Sequence, residues 1–415
     1  MSTEFFIARR LIFSGNEEAR LLRPIMRISV ASVAISLAVM LVAMAVLTGF
    51  KQQITHKVTG FLAHVQITNF EGNNTYETSN PISSRLALVP QVAALPEVEH
   101  VQTFALKPGI ISASSDIQGV VLKGIDANFD WSFFAQNMVS GAAFTVSDSG
   151  RTNDVALSQA LANLLQLRLG DSFDMLFVQE PPRMRRFHIA AMFDTKFTEF
   201  DKRFVLCDIG HVQRLNGWRN DHVSGLEIYV KNFDHVDDAF ARIEELAGYK
   251  LQPDGTRLYV ESVKTSYAQI FDWLALQDLN AWIILALMLV VAGFNMVSSL
   301  LIMLLQRSQL IGVLKALGMG NGSLQKIFIY QSAFVALRGL LLGNLLGLGL
   351  CFAQLQWGFI PLNPDTYYLT QVPIDLRLWH VLALNVGAMT AIVAMLALPS
   401  MLVARIMPSK TLRFS

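Results

Sequence analysis

The stretch ISVASVAISLAVMLVAMAVLTGF, residues 28–50, lies between Arg27 and Lys51 and contains no charged residue. A helix needs about 20 apolar residues to cross the ~30 Å hydrocarbon core of a bilayer, and this stretch is long enough. The pattern then recurs. Asp278 and Arg307 bracket an uncharged run from Leu279 to Gln306. A third runs from Gly339 to Pro364, extended backwards by Ile327–Leu337 across Arg338, and a fourth runs from Leu378 to Ala404. Four such runs are a poor fit to buried helices of a soluble core. The fold class they define is an integral membrane protein: four transmembrane α-helices, with a large α+β domain inserted between the first and second. The first run is longer than the ~7–15 apolar residues of a signal peptide, and no small-residue cleavage site follows it, so it reads as a retained helix.

Composition agrees. Of 415 residues, 53% are hydrophobic and only 16% charged, against roughly a quarter charged in a soluble domain, and the mean hydropathy is positive. The net charge of +1 argues against a nucleic-acid partner, which calls for a basic surface. The two cysteines, Cys207 in a polar region and Cys351 in an apolar run, do not form a disulfide framework.

Lys and Arg in short loops set the orientation. Arg9, Arg10, Arg20, Arg23 and Arg27 precede the first span; Arg307, Lys315 and Lys326 lie between the second and third; Arg405, Lys410 and Arg413 follow the fourth. Both termini and the loop 306–326 are therefore expected in the cytoplasm and the region 51–278 outside. The domain layout is 1–50 (a leading helix and the first span), 51–278 (the outer domain) and 279–415 (three spans, the cytoplasmic loop and the tail). Ile7, Ala8, Leu11 and Ile12 gather on one helical face opposite Arg9 and Arg10, which fits either a helix on the membrane surface or an ordinary flanking segment.

The outer region reads as mixed α and β. Strands are expected at His64–Asn69, at Val98–Ile125 with a turn near Ser114–Asp116, and at Val223–Val230. Helices are expected at Ser158–Leu165, with Ser158 as N-cap and Gly170–Asp171 as exit turn, and at Val236–Leu246. Ser262–Asn280 reads as one helix running into the second span. Phe173–Val178 and Arg185–Phe193 pair as a hairpin, within 173–193, whose tip is Gln179, Glu180, Pro181, Pro182, Arg183 and Met184. A Pro-Pro pair cannot continue a strand ladder, so the tip is either a plain surface turn or a preshaped docking finger with little entropy to lose on binding.

Inside the spans, Gly339, Gly343 and Gly347 form a small-residue face suited to close helix packing or dimerisation. Arg338 is an ionisable residue within a span, either functional or reaching the cytoplasmic interface. Gln306–Gly318 reads as a short helix ended by Gly318, followed by a turn at Met319–Gly322 and by Ser323 as N-cap of the third span. No catalytic or metal-binding residue is assigned: the chain holds no phosphate-binding GxxxxGK[ST] loop and no HExxH, CxxC or GxSxG, and its eight histidines include no i, i+4 pair.

Several segments carry a resemblance. Phe271–Asn280 (FDWLALQDLN), Gly293–Val297 (GFNMV), Ile311–Gly318 (IGVLKALG), Leu47–Phe50 (LTGF) and the tail from Pro399-Ser400 through Ala404-Arg405 to Pro408–Phe414 resemble the LolC/LolE-type lipoprotein-releasing permeases, within the wider FtsX/MacB-like group of ABC transporter subunits. The resemblance covers essentially the whole chain. It implies an inner-membrane complex of two permease subunits, identical or related, with two copies of a cytoplasmic ABC ATPase. That partner, and not this chain, would bind ATP and Mg. Its motion would pass through the spans to the outer, periplasmic domain and expel an acylated lipoprotein to a periplasmic carrier. Removing acyl chains costs about 0.8 kcal/mol per CH₂, hence the need for an ATPase and an apolar carrier. By position, Gln179–Met184 matches the family's carrier-holding hairpin. Gln306, Arg307, Ile311, Leu314, Lys315, Leu317 and Gly318 match its ATPase-coupling segment. Val42, Val46, Phe50, Trp282, Ala286 and Val290 would line the cavity that receives lipid. Two features depart from the pattern: Gln306 and Gln309 stand where acidic residues are frequent, and Arg338 is unusual. A MacB-like efflux component, or an FtsX-like regulator transmitting force to a periplasmic hydrolase, are the competing expectations.

Overall fold

The computed structural model describes residues 3–13, 17–70, 80–112, 117–146, 151–252 and 255–400. The expected turn at Ser114–Asp116 and the tail from Ala404 to Phe414 lie outside the described residues. The chain divides into two compact units. One is built from residues up to Gln52, Trp273–Pro361 and Gln371 onward; the other is Gln53–Asp272 together with Leu362–Thr370.

In the helical unit the apolar runs fall on four long helices, Glu17–Leu62, Ala268–Gln306, Asn321–Trp357 and Leu378–Ser400. The third ends at Trp357, short of the expected Pro364. Gly358 adopts the left-handed conformation (φ +55°), and its N–H donates to the Gln354 carbonyl at 2.8 Å, which closes the last turn. Its start also differs: Gly320 is the N-cap, and Ser323 already lies inside the helix. The Ser323 hydroxyl instead donates to Glu4 Oε1 at 3.1 Å. Glu4 belongs to the leading helix, Thr3–Phe13, which packs on the third helix through Phe5 against Tyr330 (6.1 Å, edge-on) and buries Ala8 in the unit's core.

The glycine face of the third helix is occupied within the chain. A Cβ on Gly339 would stand 2.7 Å from Val33 Cβ, one on Gly343 2.8 Å from the Ala34 carbonyl oxygen, and one on Gly347 3.1 Å from Ala38 Cα. All are residues of the first helix, so the stripe packs one helix of this chain on another. The motif residues have similar reasons. Gly293 leaves room for Met395, and Asn295 Nδ2 donates to Ser32 Oγ at 2.5 Å. Gly49 admits the backbone of Pro373–Asp375, where the Asp375 N–H donates to the Ala45 carbonyl at 3.0 Å.

The second unit is an α+β domain. Its strands are β1 Val65–Asn69, β2 Ile82–Ser83, β3 Val98–Ser112, β4 Ile117–Ile125, β5 Met138–Gly141, β6 Asp154–Ser158, β7 Ser172–Phe177, β8 Arg183–Phe193, β9 Phe204–Asp208, β10 His222–Val223, β11 Gly225–Val230 and β12 Leu258–Ser262. The main sheet runs β12-β1-β11-β3-β4-β9-β6-β8-β5, with β7 bridging β3 and β8, while β2 and β10 pair separately. Pairs β4–β9 and β6–β8 are parallel and the rest antiparallel. Alternating side chains fill cores around Leu122, Leu157, Phe187 and Val205, and around Ile67, Leu226, Ile228 and Ile243.

The expected helices are present, with altered ends. Ser158 caps Gln159–Leu164, its Oγ accepting from the Leu161 N–H at 3.0 Å. The chain leaves that helix at Gln166 (φ +55°), and Gly170 (φ +87°) serves a later turn. The expected strand Val223–Val230 is divided at Ser224, whose Oγ accepts from the Leu106 N–H at 2.9 Å. Ser262–Asn280 is two helices. Val263–Ser266 is capped by Ser262, and Tyr267 (φ −121°, ψ 40°) interrupts the backbone before Ala268–Gln306 begins.

One polar feature lies deep in this domain. Lys123 on β4 and Glu227 on β11 are 3% and 1% exposed and pair at 2.6 Å. The same ammonium donates to the Phe61 carbonyl at 2.6 Å, in the last turn of the first long helix. Gln102 Nε2 donates to the other Glu227 oxygen at 2.8 Å, and its own oxygen accepts from the Asp130 N–H at 3.0 Å. A cation at a helix C-terminus is favoured by the aligned peptide dipoles. Phe61 itself is packed among Phe133, Phe134, Phe193, Phe200 and Phe204. The helix end is thereby pinned to the sheet by charge and by aromatic packing.

Candidate functional surfaces

The hairpin is β7 and β8, in register from Ser172↔His188 to Phe177↔Arg183. Arg183 and Met184, expected at the tip, are strand residues opposite Phe177 and Leu176; the turn is Val178–Pro182. The ladder runs further than expected because neither Arg183 nor Met184 lacks a backbone N–H, and the prolines stop one residue short of them. One face of the hairpin is core: Phe173, Met175, Phe177 and Phe187 are buried. β7 also pairs with the far end of β3, Ile110–Ser112, and Gly109 leaves the space into which Met175 and Phe177 fit, its added Cβ standing 2.5 Å from Met175 Cε. Gln179 Nε2 donates to the Leu215 carbonyl at 3.2 Å and Arg183 Nη1 to the Arg214 carbonyl at 2.9 Å, both at the C-terminal end of helix Ile209–Asn216. Those two side chains thus hold the turn in place. Val178 (76% exposed), Glu180, Pro181, Pro182 and Met184 (61%) face outward. The result is a braced, largely apolar tip with little freedom to lose on docking.

The coupling segment forms a helix, Ser308–Ala316, separated from the second long helix at Arg307 (φ −103°). It ends as its glycine predicts. The Gly318 N–H (φ +89°) donates to the Lys315 carbonyl and the Met319 N–H to the Leu314 carbonyl, each at 3.0 Å, the paired closure of a left-handed helix stop. Ile311 is fully buried and Leu314 half-buried in the helical-unit core, so these two anchor the helix. Gln306, Leu317 and Gly318 are exposed, Arg307 and Lys315 half-buried. Val313, which the sequence reading passed over, is exposed one turn from Leu317, and Leu305 is exposed nearby. Its i, i+4 spacing to Leu317 is the signal that finds it.

Of the residues expected to line a lipid cavity, Trp282, Ala286 and Val290 share an exposed face of the second long helix, at i, i+4, i+8. Val42, Val46 and Phe50 are half-buried on the first. The two helices meet at this level through Phe50 against Trp273 (5.5 Å) and Lys51 with Asp278 (2.7 Å). Arg338 lies exposed on the third helix with its guanidinium 4.6 Å from the Phe334 ring.

Titratable groups in the α+β domain are explained by packing. Burial pushes His64 down to about 4, and its Nδ1 accepts from the Val230 N–H at 2.9 Å. Burial raises Asp201 to about 6, against the opposing effects of the Thr195 hydroxyl that donates to it and the Lys57 charge. Among the described residues, no group of three His, Cys, Asp or Glu side chains is placed to hold a metal ion.

A braced hairpin on a domain inserted between apolar helices defines a class, and comparison with known proteins names it. The chain belongs to the MacB-like periplasmic core domain family, whose model matches residues 28–246. The model for the FtsX-like permease C-terminal region matches residues 282–408. Over nearly its full length the chain is similar to the LolC and LolE proteins. It is 24% identical over 405 residues to the lipoprotein-releasing system transmembrane protein LolC of Xylella fastidiosa, covering 93% of each chain. It is 22% identical over 433 residues to the LolE protein of Haemophilus influenzae, covering 99% of each. Among solved structures, the periplasmic region of MacB from Actinobacillus actinomycetemcomitans is 13% identical, with a TM-score of 0.33 over 50% of this chain and 91% of that one.

Proposed function

We propose that this chain is a permease subunit of a lipoprotein-releasing ABC transporter in the inner membrane. The observation that carries this reading is the similarity to LolC, which takes in 93% of both chains and therefore spans helices and outer domain alike. The four long helices cross the membrane. Leu345, Phe352, Leu378 and Trp379 on their outward faces are 71%, 67%, 84% and 72% exposed, and lipid is the solvent such surfaces fit. Both termini and residues 306–326 face the cytoplasm and 51–278 the periplasm, a reading supported by the basic residues of the short loops. On the cytoplasmic side the helix Ser308–Ala316 receives a separate ATPase, which binds ATP and Mg, through Leu317, Val313 and the flanking Arg307 and Lys315. A second permease subunit completes the complex. The hairpin tip holds a periplasmic carrier, and the faces bearing Trp282, Ala286, Val290, Val42, Val46 and Phe50 receive the acyl chains of the lipoprotein.

The test is reconstitution of the chain with its ATPase and permease partners in proteoliposomes loaded with an acylated lipoprotein. Lipoprotein should transfer to added carrier only with ATP. Replacing Val178–Pro182 by Asn-Gly should lower transfer by tenfold or more, the effect of losing about 1.4 kcal/mol of docking, with ATP hydrolysis retained. ATP-independent transfer, or an unchanged rate in the variant, would remove the carrier-docking reading. Binding of a periplasmic hydrolase in place of a carrier would favour the force-transmitting one.

A further inference from the structure

A cleft of about 760 Å³ lies within the α+β domain, all of its lining residues falling between Ser84 and Leu226. That volume is in the ~300–1,000 Å³ range of ligand sites. Val89, Val101 and Ile209, each half-buried, supply an apolar floor. The walls are polar and braced. Asp126, just after β4, accepts from the Thr103 hydroxyl at 2.6 Å and from the Asn128 N–H at 3.0 Å. Asp208, the cap of helix Ile209–Asn216, accepts from the Gly210 N–H at 2.8 Å and the Thr152 N–H at 3.4 Å. His211 Nε2 donates to the Thr152 carbonyl at 2.9 Å, and Gln213 Nε2 to the Asn220 and His222 carbonyls at 2.9 and 3.0 Å. Walls held this way lose little freedom when a ligand arrives.

Other polar side chains of the cleft are left over. Asn128, Asn153, Asn220, Arg151 and Arg214 line it and are exposed, and among the described residues none of these side chains makes a hydrogen bond or an ion pair. Arg151 lies across Gly210, where an added Cβ would stand 2.6 Å from its Nε. The carboxylates of Asp126 and Asp208 match the two guanidinium groups in number but not in use. Each Asp oxygen already has a donor, whereas the arginines have no acceptor. Burial lowers the His211 pKa, so that ring adds no charge. The cleft therefore offers a ligand unspent cationic donors and asparagine amides that both donate and accept. No Phe, Tyr or Trp lines it, so a sugar ring would find no flat face to stack on.

We propose that this cleft binds an extended, acidic polypeptide segment. Each peptide unit carries one N–H and one C=O, and the amides of Asn128, Asn153 and Asn220 can pair with both. A carboxylate of the segment takes the guanidinium groups of Arg151 and Arg214, and small apolar side chains take the floor at Val101 and Ile209. None of these residues belongs to the hairpin, and the proposal does not depend on the transport reading.

The experiment titrates the full chain, purified in detergent, into a fluorescein-labelled, unstructured peptide of Gly and Ser with central Asp residues, read by fluorescence anisotropy. Binding should saturate, and the same peptide with Asn in place of Asp should bind about tenfold more weakly, the loss of a charged hydrogen bond. Arg151→Gln with Arg214→Gln should weaken the Asp peptide about tenfold and leave the Asn peptide unchanged, since both changes remove one interaction. Asn128→Ala with Asn220→Ala should weaken the two peptides alike, because their backbones are the same. These side chains hold nothing else in the chain, so thermal unfolding of each variant should match wild type. No saturable binding by the folded chain, equal binding of the Asp and Asn peptides, or an arginine variant that binds the Asp peptide as wild type does would each overturn the proposal. So would displacement by acetate as effective as by unlabelled peptide, which would make the cleft a site for a carboxylate alone.

Discussion

Lys123→Met should destabilise the α+β domain by about 3–5 kcal/mol, the cost of leaving one member of a buried ion pair uncompensated. Glu227 would remain at 1% exposure with its partner gone, and the Phe61 carbonyl would lose the charge that closes its helix. The packing of Phe61 among five phenylalanines would persist, so the helix end would loosen without detaching. Chemical denaturation in detergent of a chain with Trp273, Trp282, Trp357 and Trp379 replaced by Phe, so that Trp131 and Trp218 alone report, measures the loss. Lys123→Met with Glu227→Leu should recover most of it, because an apolar pair of similar volume needs no compensation. Recovery should stay incomplete, since Gln102 Nε2 loses its acceptor and the Phe61 carbonyl its donor. A single substitution that leaves the transition unmoved would mean that water, and not Lys123, satisfies Glu227.

Gly343→Leu should be the most damaging change in the helical unit. Its Cβ would stand 2.8 Å from the Ala34 carbonyl oxygen and 2.9 Å from Leu37 Cβ, backbone and near-backbone atoms that cannot rotate away. The helices must separate, at a cost of about 1–3 kcal/mol for the overpacking, with neighbouring contacts at Gly339 and Gly347 weakened as well. The same helix supplies its own control: nothing lies within 4 Å of a Cβ added at Gly349, so Gly349→Leu should be neutral. Thermal unfolding in detergent and the amount of protein accumulated in membranes measure both. Equal behaviour of the two variants would mean that the glycine stripe does not pack on the first helix.

The contrast between these sites and the rest of the chain shows what a sequence makes legible. Apolar run length exposes the four long helices because crossing or burying that much apolar surface leaves no other reading. Local chemistry exposes Ser158 as a cap and Gly318 as a stop, since each acts on its own backbone neighbours. Lys123 and Glu227 are invisible by the same logic. They sit on strands 104 residues apart, and nothing local marks either as buried. Residues 362–370 are hidden for a related reason: they lie in sequence between two apolar helices, yet they pack with a domain whose other segment ends 90 positions earlier, at Asp272. Tyr267 breaks a helix at a residue with no turn chemistry. At the hairpin, the two prolines located the turn, but the residues after them kept the ladder because nothing prevents Arg183 and Met184 from pairing. Ile311 and Val313 exchange roles for want of a partner surface in the sequence: helical spacing gives a face, and only packing says which face is core.

The account turns on the hairpin tip meeting a carrier in the periplasm. A photo-crosslinking residue at Pro182, exposed at the turn and outside the strand ladder, tests this in cells that contain the whole complex, with and without the periplasmic lipoprotein carrier. The account predicts an adduct with the carrier that is absent when the carrier is absent and absent when the probe is moved to the buried Phe187. A folded, ATPase-bound complex that gives no carrier adduct at Pro182, or gives one with a periplasmic hydrolase, would contradict it.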